Sequence, residues 1–273
     1  MSVNEKMTAI ADNIRDKTGG TEILTLDEMA NGINEVYEAG KRKEWSDFWD
    51  AYQNYGQRDN YRYGFYFFYS STDPEHFWTD ENFKPKYDIK PNNIAEHMFD
   101  ACGFTDLKGI LEKQGVVLDT SSATNLQYAF ANCTYLTRVP VIDVSKSKNA
   151  NVIQYLFQFC NSLEYVEKLI IPSTVDTSFF SVFNGCYKLK EVRIEGVIAT
   201  SISFTGTKYL SVESMKSVIS CLKNYAGTTK EHTYTVTFKA VVFEALEALG
   251  ETPPSGNTWA EHIDNLKWNL TLS

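Results

Sequence analysis

The chain has 273 residues and a formal charge of −9, with 43% apolar and 22% charged residues. This length and composition fit a folded globular protein with a sizeable core and exclude intrinsic disorder. No stretch approaches the roughly 18–20 uninterrupted apolar residues of a membrane helix, so no membrane insertion is expected. The charge is negative in each of the four segments described below, so the basic footprint that nucleic-acid binding requires is missing.

The opening residues, MSVNEKMTAIADNIRDK, contain no apolar h-region, which predicts no secretory signal peptide and folding in a cytoplasm. Residues 3–17 read as a short amphipathic helix, with Met7, Ile10, Ala11 and Ile14 at helical spacing. A longer helix is expected from Thr25, capped with the help of Glu28, towards Gly56. Its apolar stripe comprises Leu26, Met29, Ile33 and Val36, then changes phase across Lys41–Glu44 and resumes as Trp45, Phe48 and Tyr52. Two readings stay open for 1–56: a helical hairpin packed on its own chain, or a helical attachment and oligomerisation region. A long acidic helix with a narrow stripe has little else to bury that stripe against, so a homo-oligomer is the expectation.

Aromatic residues make up 14% of the chain, and 16 of them fall within the 43 positions from Trp45 to Tyr87. In segment 57–93 the run Tyr61–Tyr69 suits a strand, but both its faces are aromatic. It needs cover on both sides, or one face is a binding surface. Tyr61, Tyr63 and Tyr66 are therefore candidate binding contacts, while the position beside the helices favours a buried junction.

Segment 94–207 is repetitive. The frame Phe130-x-x-Cys133-x-x-Leu136-x-x-Val139 recurs at Phe157, Cys160, Leu163 and Val166, and again at Phe183, Cys186, Leu189 and Val192. A degenerate copy begins at Phe99-x-x-Cys102, and the phenylalanines step by 31, 27 and 26 residues. Such a period predicts a solenoid, each unit being one helical turn followed by a short strand. Stacked units place Phe over Phe and Leu over Leu. The cysteines then become small buried core residues, not disulfides or metal ligands. Between the inward Leu and Val positions of the strands, Glu167, Arg193 and Glu195 are the candidate binding contacts.

Segment 208–273 changes character. A helix is expected from Ser211 to about Asn224, a strand over 233–238, a helix over 241–249, a short helix opened by Thr258, and a final strand over 268–272. A repeat array needs a terminal cap, and this α+β segment is placed to be one.

No catalytic motif emerges. His76, His97, His232 and His262 stand at no ligand spacing, and phosphate-loop, nucleophile-elbow and dinucleotide signatures are absent. No enzyme activity, metal or cofactor is expected. His97 occupies the frame position of Tyr128 and Tyr155, which predicts a packing or surface role.

The repeats Tyr128–Leu136 and Phe183–Leu189 resemble bacterial leucine-rich repeats of the BspA type. Val36–Lys41 with Phe48–Tyr52, Phe83–Ile89, and Leu210–Lys216 with Tyr225–Thr228 are similar to segments of tail proteins from phages and prophages of gut Gram-positive bacteria. The resemblance implies a virion tail fibre or receptor-binding protein that adheres to a bacterial surface glycan or protein, made in the host cytoplasm and associated with other tail proteins. It favours a trimer and supplies no catalytic residues. Cell-surface BspA-type adhesins normally carry a signal peptide, so its expected lack fits the phage group. The implied fold class is α+β: N-terminal helices, an aromatic-rich junction, a short leucine-rich-repeat-like solenoid and a C-terminal cap. A purely structural tail or baseplate component, and a cytoplasmic repeat scaffold for a protein partner, are the alternatives.

Overall fold

The computed structural model describes residues 79–273 apart from 82, 86, 87 and 92. The expected helices of 1–56, their stripe, and Tyr61, Tyr63 and Tyr66 lie outside the described residues. Those described form an α+β fold with ten elements. In chain order they are α1 (Leu107–Gln114), β1 (Arg138–Asp143), β2 (Tyr165–Ile170), β3 (Glu191–Glu195), β4 (Ile202–Ser203), α2 (Val212–Ser220), β5 (Thr235–Phe238), α3 (Ala240–Glu247), α4 (Trp259–Asn265) and β6 (Asn269–Leu272). The strands build two three-stranded parallel sheets, β1-β2-β3 and β4-β5-β6.

The repeats fall into register in the first sheet. Val139 pairs with Val166, which pairs with Val192, and Ile142, Leu169 and Ile194 form a second inward row. All six are buried. Phe99, Phe130, Phe157 and Phe183 stack in one column, with ring centroids 5.2, 5.5 and 5.9 Å apart. The column continues through Phe204 at 5.0 Å and Phe238 at 5.7 Å, and Phe243 of α3 stacks on its end. Phe204, Thr207 and Leu210 repeat the Phe-x-x-Cys-x-x-Leu frame with threonine in the cysteine slot, and all three are buried.

The stretch from Phe to Cys is not a helical turn, which corrects the expectation. It is a run of tight turns in which every fourth residue is left-handed: Tyr128 and Asn132 have φ of 56° and 58°, and Tyr155 and Phe159 have φ of 60° and 59°. The amides alternate. Ala129, Ala131 and Cys133 donate to carbonyls three residues back, whereas Leu126, Tyr128, Phe130 and Asn132 donate to Val152, Gln154, Leu156 and Gln158 of the next unit. A helix would consume every one of these amides internally and leave none to join neighbouring units. We call these stretches arcs.

Two further departures concern helices. The degenerate first copy departs after Cys102 because α1 stands where a strand would be. Asp106 caps α1 by accepting from the Gly109 amide at 2.8 Å, and Leu107, Ile110 and Leu111 form its buried face. The helix from Ser211 ends at Ser220, short of Asn224, because the chain then turns to pair with Ile198: Ile198 donates to Cys221, and Lys223 donates to Ile198.

These two helices cover the edges of the first sheet. α1 lies along β1. α2 meets the far edge with hydroxyls: the Val192 and Ile194 amides donate to Ser214 Oγ and Ser217 Oγ, both at 3.0 Å. Uncovered edge strands are open to unwanted pairing, and here side chains close the ladder where backbone cannot.

Each repeat thiol reaches across one unit. Cys133, Cys160 and Cys186 donate from Sγ to the carbonyls of Phe99, Phe130 and Phe157 at 2.9, 3.0 and 3.2 Å. Burial pushes the thiols of Cys102, Cys160 and Cys186 well above the ordinary value, so they stay protonated, and Cys221, which is only partly buried, is raised as well.

Two outcomes follow for stability. Gly196 has φ of 115°, and a Cβ there would stand 2.2 Å from the Ile171 carbonyl oxygen, so Gly196→Ala is expected to cost about 3 kcal/mol in urea unfolding. A thiol raised by folding stabilises the protein fully below its unfolded value and loses that contribution as pH rises towards the folded one. Stability should therefore fall above the ordinary thiol value of 9.0, by up to about 1.4 kcal/mol per pH unit for each of Cys102, Cys160 and Cys186. Thermal melts between neutral and strongly alkaline pH, with reagent labelling that reaches only Cys221 in the native state, check this.

Candidate ligand-binding surface

Charge divides the stacked units into two kinds of surface. The strands carry Arg138, Asp143, Glu167, Lys168, Glu191, Arg193 and Glu195. The three arcs, 124–137, 150–163 and 178–187, contain no Asp, Glu, Lys, Arg or His.

On the strand side four of these seven charges are ion-paired. Glu167 meets Lys108 of α1 at 3.1 Å, and Lys108 also bonds Glu112. Glu195 meets Lys168 at 2.7 Å. Arg138 bonds Asp106 at 2.8 Å and lies 5.8 Å above the Tyr165 ring. Thus two of the three contacts expected on this side are occupied by their own chain, and Arg193 is exposed on β3.

The arcs instead present rings and amides. Tyr135, Phe159, Phe180 and Tyr187 are between 43% and 57% exposed, and Tyr209, in the unit that begins at Phe204, is 60% exposed. No arc residue with a large aliphatic side chain is exposed, because Leu126, Leu136, Val152, Ile153, Leu156, Leu163 and Val182 all point inwards. Two of the outward rings are seated on a glycine of the next unit. Phe159 lies across Gly185, where an added Cβ would approach its ring to 2.9 Å, and Gly185 itself has φ of 84°. Tyr187 lies across Gly206 in the same way, at 3.2 Å.

Beside these runs a second stack. His97 lies 4.6 Å over Tyr128 at 2°, and Tyr128 lies 4.3 Å over Tyr155 at 4°. Phe180 closes the stack edge-on, at 5.3 Å and 84°. Burial, reinforced by the Tyr155 phenol, raises the Tyr128 hydroxyl above its ordinary value. His97 Nδ1 is 2.6 Å from Asp100 Oδ2, and Asn132 donates to the other oxygen of this buried carboxyl at 2.9 Å. The neighbouring amides are also held: Gln154 donates to Asn151 Oδ1 at 3.0 Å and to Ser178 Oγ at 2.9 Å. His97, Tyr128 and Tyr155 all sit at left-handed φ, between 55° and 60°, a conformation that costs about 1 kcal/mol or more per non-glycine residue.

A third cluster joins distant segments. Asp176 accepts from Lys223 at 3.0 Å and from Lys230 at 2.9 Å, and both ammonium groups lie over the Tyr225 ring at 5.5 and 6.0 Å. Tyr225 is buried, donates to the Ala199 carbonyl at 2.6 Å, and has its hydroxyl pushed up to about 12 by burial. Near the C-terminal helix, Ser255 Oγ lies 2.8 Å from Nδ1 of His262, whose burial lowers its basicity. Among the described residues, no three His, Cys, Asp or Glu side chains converge as metal ligands.

The frame Phe-x-x-Cys identifies the core of this surface, but not the surface itself. Phe130, Cys133, Leu136, Phe157, Cys160, Leu163, Phe183, Cys186 and Leu189 are all buried. The signal for the outward residues was the absence of charge from the arcs, a property of composition and not of any motif. No family model, curated protein or solved structure matches the chain.

The Asp176 cluster generates a pH test. The Lys230 ammonium, with Lys223 behind it, holds the Asp176 carboxyl below its ordinary value of 3.8. The stabilisation is therefore complete above that value and is lost as pH falls through the lowered one. Asp176→Asn should lower Tm near neutral pH and remove that part of the acid dependence, read by melts between pH 7 and pH 2.

Proposed function

We propose that the chain is a phage tail fibre or receptor-binding protein that adheres to the surface of a Gram-positive host through its repeats. In this reading residues 94–207 form a short leucine-rich-repeat-like solenoid, closed by 208–273. Residues 1–56 attach it to the tail and hold several copies together, three being the number the resemblance favours, and the aromatic segment 57–93 welds helix to repeat. One observation supports the reading: three consecutive units offer an uncharged surface of rings and held amides, while the charges of the same units lie outside the arcs and four of the seven on the strands are ion-paired.

Such a surface suits adhesion by many weak contacts. A ring seated on backbone loses little freedom when a ligand covers its open face. Identical surfaces on linked copies turn each later contact into an intramolecular one, so avidity exceeds the affinity of any single arc.

The full chain, fluorescently labelled, is expected to decorate host cells and to block adsorption of the phage that carries it. Light scattering should report more than one copy per particle. Association with the virion without cell binding would instead make it a structural tail component. A monomer without either property would make it a repeat scaffold.

A further inference from the structure

We infer that the arc surface takes an uncharged glycan, a class of ligand that rests on the adhesion reading above. The arcs from Thr124 to Tyr187 offer nothing with which to pair a charge, and the chain's own −9 opposes approach by an anionic polymer such as a polyphosphate or polyuronate. What the arcs offer are two chemistries that together match a neutral polyol. The open faces of Phe159, Phe180 and Tyr187 are electron-rich and meet the polarised C–H groups on the flat side of a sugar ring. Gln127, Gln158, Asn132 and Asn184 bring donor and acceptor in one planar group, as hydroxyls do in return, and Gln154, whose amide hydrogens go to Asn151 and Ser178, presents its oxygen as an acceptor.

A protein partner fits less well. Protein interfaces concentrate Met, Arg and aromatic anchors within a polar rim. On the arcs the aliphatic side chains point inwards and no arginine is present. The rings are also preset: Phe159 rests on Gly185, and Phe180 is held against Tyr155. The repeat carries this surface across at least three units, which lie about 5 Å apart, so an extended chain of sugars crossing the units meets rings and amides at successive steps.

Binding of the labelled full chain to Gram-positive host cells tests this. Mild periodate treatment of the cells, which cleaves vicinal diols, should reduce binding at least tenfold. Protease treatment of the cells should not, and raising salt from ~0.05 to ~0.5 M, which screens charge, should change binding less than twofold. Phe159→Ala with Phe180→Ala should weaken binding tenfold or more. Gln154→Ala should weaken it several-fold, and the strand-side variants Arg193→Ala and Glu195→Ala should leave it unchanged. Thermal melts confirm that each variant is folded, and if the double aromatic variant is not, Gln154→Ala, which removes one half-buried amide with its bonds to Asn151 and Ser178, carries the test. Binding that survives periodate but not protease overturns the glycan in favour of a protein receptor. Binding lost at high salt overturns it in favour of a charged polymer, and arc variants that bind normally place the contact elsewhere. If the unaltered chain binds no cells at all, the adhesion reading itself fails and the glycan with it.

Discussion

Every second amide of an arc has no acceptor in its own unit. Leu126, Tyr128, Phe130 and Asn132 can be satisfied only by carbonyls of the following unit, and Tyr155, Phe157 and Phe159 repeat the demand one step further on. Since a buried amide without a partner costs roughly as much as a lost hydrogen bond, a single unit is not a stable object. The phenylalanine column, the thiols reaching across to phenylalanine carbonyls and the paired valines all stand in the register these amides impose. The turn-like backbone is therefore the origin of the stacking.

An array built this way must end somewhere, and its first sheet ends on helices. α1 and α2 occupy the places where a strand would precede β1 and follow β3. At α2 the acceptors become serine hydroxyls, which take the β3 amides without offering a new edge. The phenylalanine column, by contrast, runs past the first sheet through Phe204 and Phe238 and is finished by Phe243, lying on it from α3. Backbone ladder and ring column thus end at different units, which ties the second sheet to the first through a shared core.

Much of this was legible in the sequence because the frame is strict. Phe130, Phe157 and Phe183 with their cysteines and leucines fix the core, and Val139, Val166 and Val192 fix the sheet. The rest was hidden for particular reasons. Phe and Cys three apart suit a helix as well as a row of turns. The left-handed residues that decide between them are Tyr, Asn, Phe and Ser, with glycine only at Gly185. Threonine in place of cysteine, and a shorter step, hid the unit at Phe204. Gly109 and a length of eight residues hid α1. Among the residues of the surface, Glu167 and Glu195 had the exposure pattern of contacts, but the lysines that occupy them come from α1 and β2. That meeting is set by packing and has no trace in local sequence.

The left-handed positions also restrict which residues can face outwards on the arcs. A β-branched side chain is a poor occupant at positive φ, so valine, isoleucine and threonine are disfavoured at the sites of His97, Tyr128, Tyr155 and Ser181 and at those of Ala101, Asn132, Phe159 and Gly185. Variation there draws on a reduced alphabet: rings, amides, and the small residues that seat them. A change of target would then be written by permuting rings and gaps along the rows, one unit at a time, while the hydrogen bonds that join the units stay as they are.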